Sequence, residues 1–207
     1  FLDLRGGPVT LTLPPSGGRY LSVALMDAYT NNFAVLGTRT TGVRGGRFVI
    51  SGPGGPETPD AIRSPTPWVW ALARTLVDGP ADLAAAGAVQ RGITLSGVRS
   101  GPAPFTQAVR RDGEALAVLG AVAKLIAENP PRPEQAATVA RFRSALVDAE
   151  TARLTADAAA ALRAGVEDAR ALIRTGGGLG VGAPVQGWTY PRPSLGDFGT
   201  DYAYRAA

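Results

Sequence analysis

Apolar residues recur at every second position as far as about Gly97 and at every third or fourth position from Asp112 to Thr175. This change of period constrains the fold more than any other feature, because a strand turns alternate side chains to one face while a helix repeats after 3.6 residues. Strand-like runs cover Pro8 to Leu13, Arg19 to Met26, Phe33 to Thr38, Arg47 to Ser51 and Trp68 to Val77. Turn signals at Pro14-Pro15-Ser16-Gly17-Gly18, Gly42 to Gly46 and Gly52 to Pro59 separate them. Five strands at this spacing predict an antiparallel sandwich. Leu21, Val23 and Leu25 share one parity, and Trp68, Trp70, Leu72 and Leu76 share another, so both sets are expected in the core. Asp78-Gly79-Pro80 predicts a short helix through about Gln90, since proline suits the first turn, and a brief strand follows over Gly92 to Leu95.

The second half reads as alanine-rich helix. Asp112 to Glu128 carries Leu116, Leu119, Val122, Ala123 and Ile126 on one face and is stopped by Asn129-Pro130-Pro131. Pro133 opens a second helix through about Val147. Thr155 to Thr175 forms a third, with Leu162, Val166, Ala169, Leu172 and Ile173 on one side, an Arg163 to Glu167 pair on the other, and Gly176-Gly177-Gly178 at its end. Residues 1–97 are therefore read as a β-sandwich domain and 98–178 as a helical middle. Residues 179–207, aromatic and turn-rich but too short for a core of their own, read as the start of a further β-domain.

Composition narrows the chemistry. The chain has 207 residues with 45% hydrophobic and 18% charged, enough to build a core despite 27 glycines and 17 prolines. It has neither cysteine nor histidine. Thiolate and imidazole nucleophiles, imidazole bases, disulfides and zinc sites of those ligands are excluded as far as this chain supplies them, and nothing calls for a metal or a cofactor. The redox compartment stays open. The net charge is +4, with Lys124 the single lysine among 21 basic residues. The arginines are scattered, densest at Arg39, Arg44 and Arg47, without the basic stripe and interleaved aromatics of a nucleic-acid surface. The longest apolar stretch, Ala115 to Ala127, is broken by Lys124 and falls short of the ~18 residues of a membrane span. The chain opens on Phe1 with no basic and apolar leader before it, so it reads as a processed product or a fragment, and location stays open.

Gly178-Leu179-Gly180-Val181-Gly182-Ala183 matches a dinucleotide fingerprint in letters only: a helix precedes it and Pro184 follows, so it reads as a flexible linker. Carboxylates are the remaining acid–base candidates. Asp27, Asp197 and Asp201 stand beside aromatics or glycines, where a pair can serve glycoside hydrolysis or simply cap and bridge. Strand parity turns Arg74 and Asp27 toward the sandwich interior, which predicts that Asp27 pairs with Arg74 or, failing that, with Arg39. In the functional version of this arrangement Asp27, Asn31, Arg39, Arg63 and Arg74 surround an anionic ligand.

Four runs, Asp27-Ala28-Tyr29-Thr30-Asn31-Asn32-Phe33, Gly37-Thr38-Arg39-Thr40-Thr41-Gly42, Ile62-Arg63-Ser64-Pro65-Thr66-Pro67 and Arg74-Thr75-Leu76-Val77-Asp78, together resemble the bacterial domain of unknown function 1254. Gly187-Trp188 and Gly196-Asp197-Phe198-Gly199-Thr200-Asp201-Tyr202-Ala203-Tyr204-Arg205-Ala206 resemble the opening of its usual companion, domain of unknown function 1214. The resemblance implies an immunoglobulin-like β-sandwich, a helical middle and a C-terminal β-domain related to jelly rolls, in a periplasmic or secreted setting. It also implies that both β-domains are incomplete here, the first lacking an earlier strand, so that an exposed edge invites homo-oligomers. The loop Gly52-Pro53-Gly54-Gly55-Pro56 lacks the tryptophan expected of the family, and the resemblance supplies no catalytic residues. The reading that follows is a non-catalytic envelope protein that binds a small anionic or polymeric ligand between its β-domains. The alternative is a carboxylate-dependent hydrolase completed by residues outside this chain.

Overall fold

The computed structural model describes residues 1–55, 59–97, 110, 112–151, 153–175, 184–201 and 204–205. The chain forms two compact units, Phe1–Gly101 and Pro102–Ala207.

Among the described residues the first unit holds eight strands and one α-helix: β1 (Leu2–Asp3), β2 (Val9–Leu13), β3 (Leu21–Met26), β4 (Asn32–Gly37), β5 (Gly46–Ser51), β6 (Ile62–Arg63), β7 (Trp68–Thr75), α1 (Leu83–Arg91) and β8 (Thr94–Ser96). They make two four-stranded sheets, in the orders β1-β7-β3-β4 and β6-β5-β2-β8. Val9, Leu11, Leu13 and Ile50 from one sheet pack with Leu21, Val23, Leu25, Leu36 and Val69 from the other into a single cluster, the core of a β-sandwich. The alternation in β2 is clean: Val9, Leu11 and Leu13 are buried while Thr10 and Thr12 are half-buried.

Three expectations for this unit need correction. On β7 Trp68 is buried as expected, but it is Val69 and Ala71 that pack into the central cluster, whereas Trp70 is 39% exposed and Leu76, just beyond the strand, 55%. The run is apolar at both parities, so alternation alone does not select a face, and pairing with β3 decides it. Arg74 shares the outward parity and is exposed. The sandwich is not wholly antiparallel, since the two-residue β6 pairs in parallel with β5. Finally, β1 and β6 are too short to leave a period in the sequence.

The turn after β4 shows how tightly this framework is drawn. Gly37 has φ 126, and a Cβ there would stand 2.1 Å from the Leu21 carbonyl oxygen. Its own carbonyl accepts the backbone N–H groups of Thr40, Thr41 and Gly42 at 2.8–3.0 Å. Thr38 accepts from the Leu21 N–H through Oγ1 at 3.0 Å and donates its own N–H to the Leu21 carbonyl at 2.8 Å.

The second unit contains α2 (Ala115–Glu128), α3 (Pro133–Thr151) and α4 (Ala156–Thr175), with α2 packed against both others. Asn129 ends α2 by donating its backbone and side-chain N–H groups to the Leu125 carbonyl, and two prolines follow it. Glu114 caps the other end, accepting the Ala117 N–H at 2.9 Å. Arg163 pairs with Glu114 at 3.0 Å and not with Glu167, which binds Arg170 instead. The apolar stripe of α4 outruns its contacts, leaving Leu172 71% exposed. Among the described residues no helix is long and apolar enough to cross a membrane. The glycine-rich motif over residues 178–183 lies outside the described residues, as does the Gly176–Gly178 helix stop.

Arg19 and Asp82 tie the start of β3 to the turn that opens α1. The arginine binds both carboxylate oxygens, one at 2.6 Å, and donates to the Leu76 carbonyl at 2.6 Å, while the Asp78 N–H donates to Asp82 at 2.8 Å. The Arg19 hydrogen bond, followed by that Asp78 N–H, lowers the Asp82 pKa from 3.8 to about 2. A carboxyl depressed in the folded state stabilises the fold above its unfolded pKa and loses that contribution as pH falls through the folded one. Thermal melts should therefore show the Tm of the native chain falling more steeply than that of Asp82→Asn between pH 4 and pH 2. Parallel curves would show that the pair contributes nothing.

Candidate functional site

The sequence offered five residues for a ligand, and the structure sorts them to opposite ends of β3. At one end, where β3 leads toward β4, Asp27 is 1% and Asn31 0% exposed. One Asp27 oxygen accepts the backbone N–H groups of Tyr29 and Asn31, both at 2.9 Å, and the other accepts the Asn31 side-chain amide at 3.0 Å. The Asp27 N–H returns to the Asn31 carbonyl at 2.9 Å, and Thr30 takes φ 64 to let the loop close. Neighbouring segments lock onto it. The Ala28 N–H donates to Thr66 Oγ1 at 2.9 Å, which itself donates to the Trp68 carbonyl at 2.7 Å. Ser64 Oγ donates to the Thr66 carbonyl at 2.6 Å, and the Ser64 N–H reaches the Ser51 carbonyl in the other sheet. Arg63 stands beside this knot, exposed, and donates to the Gly55 carbonyl at 3.3 Å.

Asp27 does not pair with Arg74. The strand register sets Arg74 opposite Ser22, five residues from Asp27. At ~3.3 Å per residue that is about 16 Å along the strand. Arg39 is also at the far end, with its guanidinium 5.5 Å from the centre of the Tyr20 ring.

At that far end Ser22 is 7% exposed and Gly37 is buried, while the side chains of Arg39 and Arg74 are exposed. Arg74 on β7, Ser22 on β3 and Gly37 on β4 form one cross-strand row, and Arg39 follows Gly37 on its turn. Tyr20 shares the parity of Ser22, opposite to the core residues Leu21 and Val23. Arg39 and Arg74 are both exposed and have no ion pair with a carboxylate among the described residues. The sequence proposed these arginines but not the contact of Arg39 with Tyr20, for which the signal was the shared parity of Tyr20 and Ser22.

The acid–base candidates are committed elsewhere. Asp201 accepts the Tyr204 N–H at 3.0 Å and pairs with Arg192 at 3.0 Å. Asp197 is 73% exposed and stands 3.5 Å from Arg132. Gln135, near the start of α3, donates to the Gly199 carbonyl at 3.0 Å and so fastens the last segment to that helix, while Arg205 donates to the same carbonyl at 2.9 Å from within the segment. Asp82 and Glu114 both have pKa values shifted downward. For Glu114 the Ala117 N–H is the main cause and Arg163 the next. A general acid needs the opposite shift. Among the described residues no cluster of carboxylates is suited to a metal.

Comparison with known proteins agrees with the sandwich. Residues 1–97 match the family described as Protein of unknown function (DUF1254), which bears out the resemblance for the first domain. No curated protein matches the chain. The crystal structure of the VPA0106 protein from Vibrio parahaemolyticus is similar, with 17% identity and a TM-score of 0.57 over 95% of this chain and 51% of that one. At that identity the likeness concerns the fold alone, and this chain spans about half the length of that protein.

The knot around Asp27 makes a direct prediction. Asp27→Asn keeps the shape but turns an acceptor into a donor that faces other donors, and should destabilise the chain by about 2–3 kcal/mol in urea unfolding. A loss below about 0.5 kcal/mol, the usual effect of a surface change, would show that the carboxylate does not hold the loop.

Proposed function

We propose that this chain is a non-catalytic ligand-binding protein of the cell envelope, which captures an anionic ligand on its sandwich surface and leaves it chemically unchanged. The observation that carries this reading is that two of the three carboxylates the sequence offers for acid–base work, Asp27 and Asp201, are taken up by structure, while Asp197 stands exposed beside Arg132. Asp27 is buried inside its own loop, and Asp201 holds a backbone N–H and an arginine. Two exposed arginines at the far end of β3, by contrast, have no carboxylate partner among the described residues. Residues 1–101 carry nine arginines against six carboxylates, which adds a modest attraction for anions. The periplasmic or secreted setting rests on the family resemblance. So does the view of residues 179–207 as the opening of a companion jelly-roll domain.

Dextran sulfate serves as a polymeric probe. Incubated with the protein and run on a sizing column, it should co-elute with the chain at low salt and be recovered at its original length. Shortened polymer would point to the carboxylate-dependent hydrolase instead, and separate elution of polymer and protein would remove the binding reading.

A further inference from the structure

We propose that Arg39 and Arg74 together form an oxyanion site, in which two guanidiniums grip one carboxylate, sulfate or phosphate group of the ligand across the outward face of β3. This rests on the binding function proposed above and names the chemistry it recognises.

Three observations converge on it. The first is placement. Arg74 and Gly37 flank Ser22 in one row, so their backbones are two strand spacings apart, about 10 Å. Arg39 lies two residues beyond Gly37, and an anion above β3 is within reach of both side chains. The second is orientation. The Arg39 guanidinium lies over the Tyr20 ring, which limits its freedom and holds its charge on the β3 side of the turn. The turn itself is fixed by the hydrogen bonds to the Gly37 carbonyl and by the Thr38 hydroxyl, so little ordering remains to be done when a ligand arrives. The third is availability. Arg5, Arg19, Arg163, Arg170 and Arg192 are each paired with a carboxylate, whereas Arg39 and Arg74 have none among the described residues. Planar guanidinium forks match the spacing of oxyanion oxygens, so an exposed pair of them selects such groups over halide ions.

The test follows the arginine Nε–H resonances of the full chain by NMR during titration with inorganic sulfate, with ionic strength held constant by chloride. The resonances of Arg39 and Arg74 should move together and saturate with one dissociation constant. Arg39→Gln and Arg74→Gln should each weaken that constant about tenfold, while Arg91→Gln on α1 leaves it unchanged. Non-saturating shifts, separate constants for the two arginines, or an equal loss in the Arg91 variant would overturn the site. The two readings fail separately. If the doubly substituted protein still carries dextran sulfate, the polymer binds elsewhere and this site is wrong while the binding function stands. If the native chain does not carry the polymer, the binding function falls, and the sulfate titration still judges the site.

Discussion

A carboxylate removed from water must be met by donors, and at Asp27 the chain supplies them from within five residues. Two backbone N–H groups and the Asn31 amide surround it, and this forces the loop between β3 and β4 into one conformation. The consequences spread outward. The closed loop presents the Ala28 N–H to Thr66, Thr66 bonds onward to the start of β7, and Ser64 reaches Ser51 in the second sheet. One buried charge thus sets the relation between the central hairpin and two connections that sequence distance keeps apart.

β3 lies between β7 and β4 and pairs with β7 in one unbroken register from Met26 back to Leu21, while its pairing with β4 shifts between Leu25 and Met26 and then runs without a break to the row of Arg74, Ser22 and Gly37. The division of labour follows from burial. The polar knot is sealed and rigid and cannot meet a ligand. The far end carries exposed cations on a backbone that the knot and the Gly37 turn hold in place, which is the arrangement that recognition requires.

Much of this was legible in the sequence, for identifiable reasons. The change of apolar period separated the strands of the sandwich from the helices α2 to α4, and Asn129 with its two prolines marked the end of α2, because capping and proline geometry act locally. Strand parity turned Asp27 toward the interior, where it is buried, but the hydrogen bonds within residues 27–31 make it its own loop's anchor and not the partner of a distant arginine. Parity misled on β7 because Trp68, Trp70 and Leu72 make one face apolar and Val69, Ala71 and Ala73 the other, so only pairing with β3 could choose between them. The ion pairs of α4 were missed for a related reason. Helical spacing suggests Arg163 with Glu167, yet packing brings Glu114 to Arg163 and leaves Glu167 to Arg170. Local rules give the elements, and contacts across the fold decide which faces and which charges meet.

The absence of histidine gives the arginine end a particular character. Histidine is the side chain that ordinarily changes charge between pH 5 and pH 8, and this chain has none. Arginine keeps its charge throughout that range. A surface built on Arg39 and Arg74 therefore presents the same cations in acidic and in neutral surroundings, so any dependence of the proposed site on mild changes of pH comes from the ligand's own groups. Discrimination must come instead from geometry, that is, from how many oxygens a ligand group offers to two planar forks and whether it clears the Tyr20 ring. An acidic group at the end or edge of a larger molecule meets that requirement, whereas a single halide fills neither fork.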